Sequence, residues 1–302
     1  MLETIRFRRA VWAGLLSLIL GVAACDAVKS GATDAGTEAD LDNVDAMSRE
    51  HANDSTEPSA AAEIAPVRAV ESETLPYADV DDELAYGYLA YPSGVLEPLP
   101  AIMMIHEWWG LNDNIRAMAN RFAAEGYMVL AVDLYGGEIA TTPAEARRQM
   151  LNVVENPGVA RENIRQALAF LKITEAPAIA SLGWCFGGGW SLNTAMLYPE
   201  DVDASVIYYG QVTDDAEKLH SIDGPILGLF GADDRGIPVK DVKAFEAALK
   251  RLRKSHEIHI YPGVGHAFAN PTGTNYNEAA AESAWQRTID FLAENLQSTD
   301  ET

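Results

Sequence analysis

From Tyr77 onward the chain alternates short apolar runs with helical patterns, and this alternation constrains the fold more than any other feature. Such a succession is the signature of a mostly parallel sheet covered by helices on both faces, an α/β architecture. Leu84–Tyr91 reads as an early strand. Ala101–His106 reads as a buried strand leading into the loop His106-Glu107-Trp108-Trp109-Gly110. Asn112–Glu125 fits an amphipathic helix stopped by Gly126, and Tyr127–Val132 a second buried strand. Ala144–Leu171 is helical with a break near Pro157-Gly158, and Ala178–Gly183 is again an apolar strand.

Cys185 follows that strand, and Gly187-Gly188-Gly189 opens a helical pattern running to about Tyr198. The stretch Gly183-Trp184-Cys185-Phe186-Gly187 is therefore a G-x-C-x-G turn between strand and helix. It resembles the nucleophile elbow of the α/β-hydrolases, with sulfur in place of the usual serine oxygen. A thiol at a helix N-terminus gains from the dipole in its thiolate form, and the N–H of Phe186 can face a developing oxyanion. The plainer alternative is a buried structural cysteine.

In the α/β-hydrolase resemblance the acid and then the histidine follow the nucleophile in chain order. Two later strand ends offer them. Pro225–Phe230 is followed by Gly231-Ala232-Asp233-Asp234-Arg235-Gly236-Ile237-Pro238, where Asp233 and Asp234 compete for the acid role. Ile258–Tyr261 leads into Gly263-Val264-Gly265-His266-Ala267-Phe268, where His266 has the freedom that a general base needs.

Gly-Trp-Cys-Phe-Gly-Gly, the acidic loop ending in Ile237-Pro238, and Gly-His-Ala-Phe together resemble the dienelactone hydrolase family, over roughly Tyr77–Leu296. The resemblance implies a hydrolase of small esters or lactones of the carboxymethylenebutenolidase type. It places the carboxylate four residues before the proline, which selects Asp234. It implies a thioester acyl-enzyme on Cys185 and an oxyanion hole from the N–H groups of Phe186 and Trp108. It also gives Glu107 the task of raising the thiol pKa, so that the resting sulfur stays protonated until substrate arrives; otherwise Glu107 caps loop backbone donors. One departure limits the substrate class. The family grips a substrate carboxylate with arginines, one of them four residues after the histidine, and here that position is Asn270. Arg147 or Arg148 would have to supply the other guanidinium, unless both are ordinary solvated charges. Trp108, Trp109, Trp184 and Phe186 suggest an aromatic-lined pocket.

The N-terminus carries Arg6, Arg8 and Arg9, the apolar run Ala10–Val22, and Val22-Ala23-Ala24-Cys25. The apolar stretch is shorter than the ~20 residues that span a bilayer, which favours a cleaved export signal over residues 1–24. The last four residues resemble a bacterial lipoprotein cleavage box. The resemblance makes Cys25 a lipid anchor and the chain an extracytoplasmic, membrane-attached lipoprotein; an ordinary secretory cut near Ala24 is the alternative. Residues 25–76 hold twelve Asp or Glu, three Lys or Arg and no Phe, Trp or Tyr after Cys25 and before Tyr77, the composition of a disordered acidic tether with at most a short helix near Ala60. The catalytic domain is then 77–297 and the tail 298–302.

A formal charge of −23 argues against nucleic acid, which needs clustered Lys and Arg. With two cysteines in all and one assigned to lipid, Cys185 is expected as a free thiol. His256 and His259 lie three apart on a strand and point to opposite faces. His51 and His220 have no partner visible in the sequence and are expected at the surface. Neither a metal nor a cofactor is expected. The glycines after Cys185 lack the lysine and spacing of a phosphate loop. Two rival readings remain on the same fold: a non-catalytic ligand-binding lipoprotein, and a thiol redox or acyl-transfer protein, which would want a second nearby cysteine or a carrier. The sequence assigns no oligomeric state.

Overall fold

The computed structural model describes residues 38–55 and 65–297. Residues 1–24, expected as an export signal, Cys25, Ala60 and residues 298–302 lie outside the described residues. One eight-stranded sheet forms the centre, with strand order β1-β2-β4-β3-β5-β6-β7-β8. β1 (Val70–Val80) and β2 (Glu83–Pro92) are antiparallel to each other, and β2 is antiparallel to β4 (Met128–Val132). β3 (Ala101–Ile105), β4, β5 (Ile179–Trp184), β6 (Ala204–Tyr208), β7 (Ile226–Gly231) and β8 (His256–Tyr261) run parallel. Every residue of β3 to β7 is buried. That is why these strands read as unbroken apolar runs in the sequence: helices cover both faces.

The helices are α2 (Asp113–Ala124), α3 (Pro143–Glu155), α4 (Pro157–Ile173), α5 (Phe186–Leu197), α6 (Ala216–His220), α7 (Val239–Leu252) and α8 (Glu278–Leu296), preceded by an N-terminal helix α1 (Glu38–Glu50). Their starts are written in the sequence. Asn112 caps α2 by accepting from the Ile115 amide. Thr142 and Glu145 form a reciprocal capping box on α3, with Pro143 at its first position. The expected break near Pro157 is the junction between α3 and α4, because a proline there starts a second helix more readily than it continues the first. None of the described helices is long and apolar enough to cross a membrane.

Two expectations are overturned. The catalytic fold starts at Val70, since β1 pairs with β2 from Val70↔Pro92 to Val80↔Glu83. The stretch expected as a disordered tether contains α1, and α1 is docked. Val44 and Met47 are fully buried, and His51, just past the helix end, is also buried rather than at the surface. Asp45 receives two hydrogen bonds from Arg147, the Nη2 one at 2.6 Å, so a side chain considered for gripping substrate instead ties α1 to α3. At the other end Asp54 accepts from the amide and hydroxyl of Thr274, at 2.8 and 3.0 Å.

Candidate active site

The elbow is built by close approach. Cys185 has φ 54° and ψ −119°, in a region that side chains rarely adopt. A Cβ on Gly183 would stand 2.2 Å from the Gly187 carbonyl oxygen, and one on Gly187 would stand 2.2 Å from the Ile105 carbonyl oxygen. The turn therefore closes onto itself and onto β3 only if both positions lack a side chain. The main chain of Cys185 is held as its N–H donates to Tyr208 and its carbonyl accepts from Gly189. In the first turn of α5 the Phe186 amide has no intrahelical acceptor, which leaves it available to a ligand.

Two imidazoles approach the sulfur. His266 comes from the loop after β8, and its Nδ1 lies 2.8 Å from Asp234 Oδ2. Asp234 is fixed in turn, because its Oδ1 accepts from the amides of Gly236 and Ile237 at 2.8 Å each. Asp233 contributes its main chain to Val264 and does not compete. His266 Nε2 is buried beside the Cys185 sulfur with no other hydrogen-bond partner, and His266 belongs to a cluster with that sulfur and a His51 ring nitrogen, all within 4.8 Å of one another. His51 is the second imidazole. Its Nε2 is 3.5 Å from Cys185 Sγ, its Nδ1 is 2.7 Å from Asp54 Oδ2, and its ring stacks on Trp108 at 4.8 Å. Met47 adds its own sulfur, 3.4 Å from Sγ.

Burial raises the Cys185 thiol, but the charge and hydrogen bond of His266, then the hydrogen bond and charge of His51, outweigh it and pull the thiol down from 9.0 to about 6. His266 is driven down by burial and up, further, by the Asp234 carboxylate and Cys185, so that it lies well above its ordinary value. His51 is subject to the same opposition between burial and its bond to Asp54, and reaches about 9. The two imidazoles favour the thiolate form, while the Glu107 carboxylate and a Cys185 thiolate each disfavour the other's charge. Glu107 is bonded to side chains. Its Oε2 accepts from Asn270 Nδ2 at 2.8 Å and its Oε1 from the Tyr209 hydroxyl at 3.2 Å. Burial, then the nearby Cys185 charge, pushes its carboxyl up to about 7.

The remaining site residues sort clearly. Trp108 and Trp109 pack against each other at 5.0 Å, next to His51, with both indole N–H groups buried and unpaired. Trp184 faces the opposite layer, against Phe122 and Tyr208, and is not part of this aromatic wall. Asn270 is buried and committed to Glu107 and Thr272. Arg148 pairs with Glu138 at the surface. An open cleft of about 500 Å³, lined by Asp42, Arg49, Gln211 and Ile237 among others, runs along the outer flank of α1 and has none of the site side chains in its wall. Cys185 itself is 2% exposed. The missed residues, Met47, His51 and Asp54, sit on a segment whose charge count conceals a stripe of Val44, Met47 and His51 at helical spacing.

The dienelactone hydrolase family profile matches residues 85–296. A protein named "Putative carboxymethylenebutenolidase" from Saccharolobus solfataricus is 32% identical over 251 residues, spanning 71% of this chain and 95% of that protein. The chain belongs to the dienelactone hydrolase family. Another relative, the protein usf of Aquifex pyrophilus, is 33% identical over 221 residues, 70% of this chain and 93% of its own. Among solved structures, a dienelactone hydrolase-like promiscuous phosphotriesterase from metagenomic libraries superposes with a TM-score of 0.69 at 23% identity, over 75% of this chain and 99% of that one, a likeness of fold. Membership in the dienelactone hydrolase family places the chain among ester and lactone hydrolases in general and identifies the sheet as the α/β-hydrolase fold.

Proposed function

We propose that the protein hydrolyses small uncharged esters or lactones through Cys185, His266 and Asp234. The observation that supports this most is the Asp234–His266 pair beside the Cys185 sulfur on a strained elbow, with Asp234 itself clamped by two amides. The thiolate attacks the carbonyl carbon, and the oxygen takes up negative charge facing the amides of Phe186 and Trp108. Protonated His266 gives its proton to the departing alkoxide as the thioester forms. Neutral again, it takes a proton from water, whose hydroxide attacks the thioester and releases the acid, and the thiolate returns. Trp108 and Trp109 supply apolar wall, and their unpaired N–H groups supply two donors for a substrate oxygen. With Asn270 tied to Glu107 and Arg147 tied to Asp45, neither offers a guanidinium or free amide to a substrate carboxylate. Uncharged substrates therefore fit better than carboxylated ones such as dienelactone. In this arrangement α1 and His51 cover the sulfur, and substrate enters when they lift.

The residues Val22-Ala23-Ala24-Cys25 support a lipoprotein anchored through Cys25 and working outside the cytoplasm. The catalytic reading is tested by assaying the full chain beside Cys185→Ala on a panel of small esters and lactones, dienelactone included. We expect turnover of uncharged esters that the substitution removes, by about 10⁴-fold or more. A chain that turns over nothing above the variant sinks the reading and favours a binding protein on the same fold.

A further inference from the structure

Cys185, His51 and His266 offer one sulfur and two ring nitrogens within 4.8 Å of one another, and all three residues are buried. We propose that docking of the N-terminal segment completes a three-ligand site for a thiophilic divalent cation of the Zn(II) class, bound by Cys185 Sγ, His51 Nε2 and His266 Nε2.

One ligand separation already matches what such an ion demands, and the others lie within 4.8 Å. Zinc bonds of about 2.3 Å to sulfur and 2.0–2.1 Å to nitrogen at tetrahedral angles put the two ligand atoms about 3.6 Å apart. His51 Nε2 and Cys185 Sγ are separated by 3.5 Å. Each imidazole is also already oriented as a ligand. The Nδ1 of His51 is bonded to Asp54 and the Nδ1 of His266 to Asp234, at 2.7 and 2.8 Å, so in both rings it is Nε2 that faces the sulfur. This carboxylate–histidine pairing is the arrangement that fixes the ring and raises the basicity of metal-ligating histidines. Two such pairs meeting at one thiol are more than a hydrolytic triad needs, since one imidazole suffices for proton transfer. His266 Nε2 is also fully buried and faces the Cys185 sulfur, with no other hydrogen-bond partner, so its lone pair is open to an ion once its proton is released. Soft sulfur and imidazole donors select zinc or copper over the hard cations that the acidic surface would attract. Met47 Sδ, 3.4 Å from Sγ, adds a thioether beside the three stronger donors.

Loading the site consumes the nucleophile and bridges the cover to the sheet, so a loaded chain is closed and hydrolytically silent. The site shares Cys185 and His266 with the hydrolytic reading but does not depend on it, because binding is read without turnover.

The test uses the full chain titrated with Co(II), which reports sulfur ligation by a thiolate-to-metal charge-transfer band, and with Zn(II) in competition, both in excess Mg(II) to saturate surface carboxylates. We expect one equivalent bound with the charge-transfer band, loss of the band in Cys185→Ser, and at least tenfold weaker Zn(II) binding in His51→Ala. Asp54→Asn, which leaves all three ligands in place, should weaken binding by about 10–100-fold. Circular dichroism verifies that each variant is folded. Bound Co(II) without the thiolate band, or Zn(II) affinity unchanged in His51→Ala, overturns the assignment; failure of the ester assay alone does not bear on it.

Discussion

Replacing Met47 by Asp raises kcat/KM for small esters by about 10–100-fold. Met47 is buried with its sulfur on the nucleophile, and in the docked arrangement Cys185 is 2% exposed. If substrate enters when α1 lifts, as proposed, the apparent affinity is reduced by the fraction of molecules that are lifted. Truncating or charging a buried methionine costs the docked form roughly 2–5 kcal/mol, enough to invert a closed-favouring equilibrium of that size. The substitution spares the sheet, which lies beneath α1, and spares the triad. Steady-state assays of wild type and Met47→Asp at matched pH measure the effect. A rate that falls instead would show that α1 and His51 belong to the working site rather than covering it.

Asp234→Asn lowers kcat by about 10⁴-fold, the size of effect seen when a triad carboxylate loses its charge and leaves the wrong imidazole tautomer. It also moves the thiol. In the native chain the thiolate population grows as pH rises through about 6, because the depressed pKa puts the charged form above that value. His266 owes its high pKa, against burial, first to Asp234, and Cys185 owes its low pKa, against burial, first to His266. Removing the carboxylate therefore shifts the midpoint of Cys185 alkylation upward, toward an ordinary thiol. The pH profile of alkylation by iodoacetamide, followed on the peptide containing Cys185, distinguishes this from mere loss of fold. An unchanged midpoint would mean that Asp234 does not act through His266.

The parallel strands β3, β4, β5, β7 and β8 and the strand-end positions of Cys185 and His266 were legible because each depends on local sequence, whereas β6 went unread. Fully buried strands are continuous apolar runs, and the elbow needs glycine at Gly183 and Gly187 for reasons of contact distance alone. The choice of Asp234 over Asp233 came only with the family resemblance, and its structural cause is the pair of amides at Gly236 and Ile237 that hold one carboxylate and not the other. β1 escaped notice because it is an edge strand with one half-exposed face, so Glu71 and Glu73 interrupt its apolar pattern. α1 escaped because its acidic composition outweighs a narrow buried stripe, and the face that this segment covers is assembled from residues more than fifty positions away. Arg147 illustrates the same limit. Its partner Asp45 lies 102 residues earlier, on a segment whose docking no local rule announces. The part of the thiol's depressed pKa that comes from His51 has the same origin, since His51 reaches the sulfur from that segment.

Acylation of Cys185 is read by intact-mass and peptide mass spectrometry of the full chain quenched in acid during turnover of p-nitrophenyl acetate. We expect one acetyl group on the peptide bearing Cys185, appearing before steady state and absent in Cys185→Ala. Acetyl on another residue, or undiminished turnover in Cys185→Ala, would contradict it.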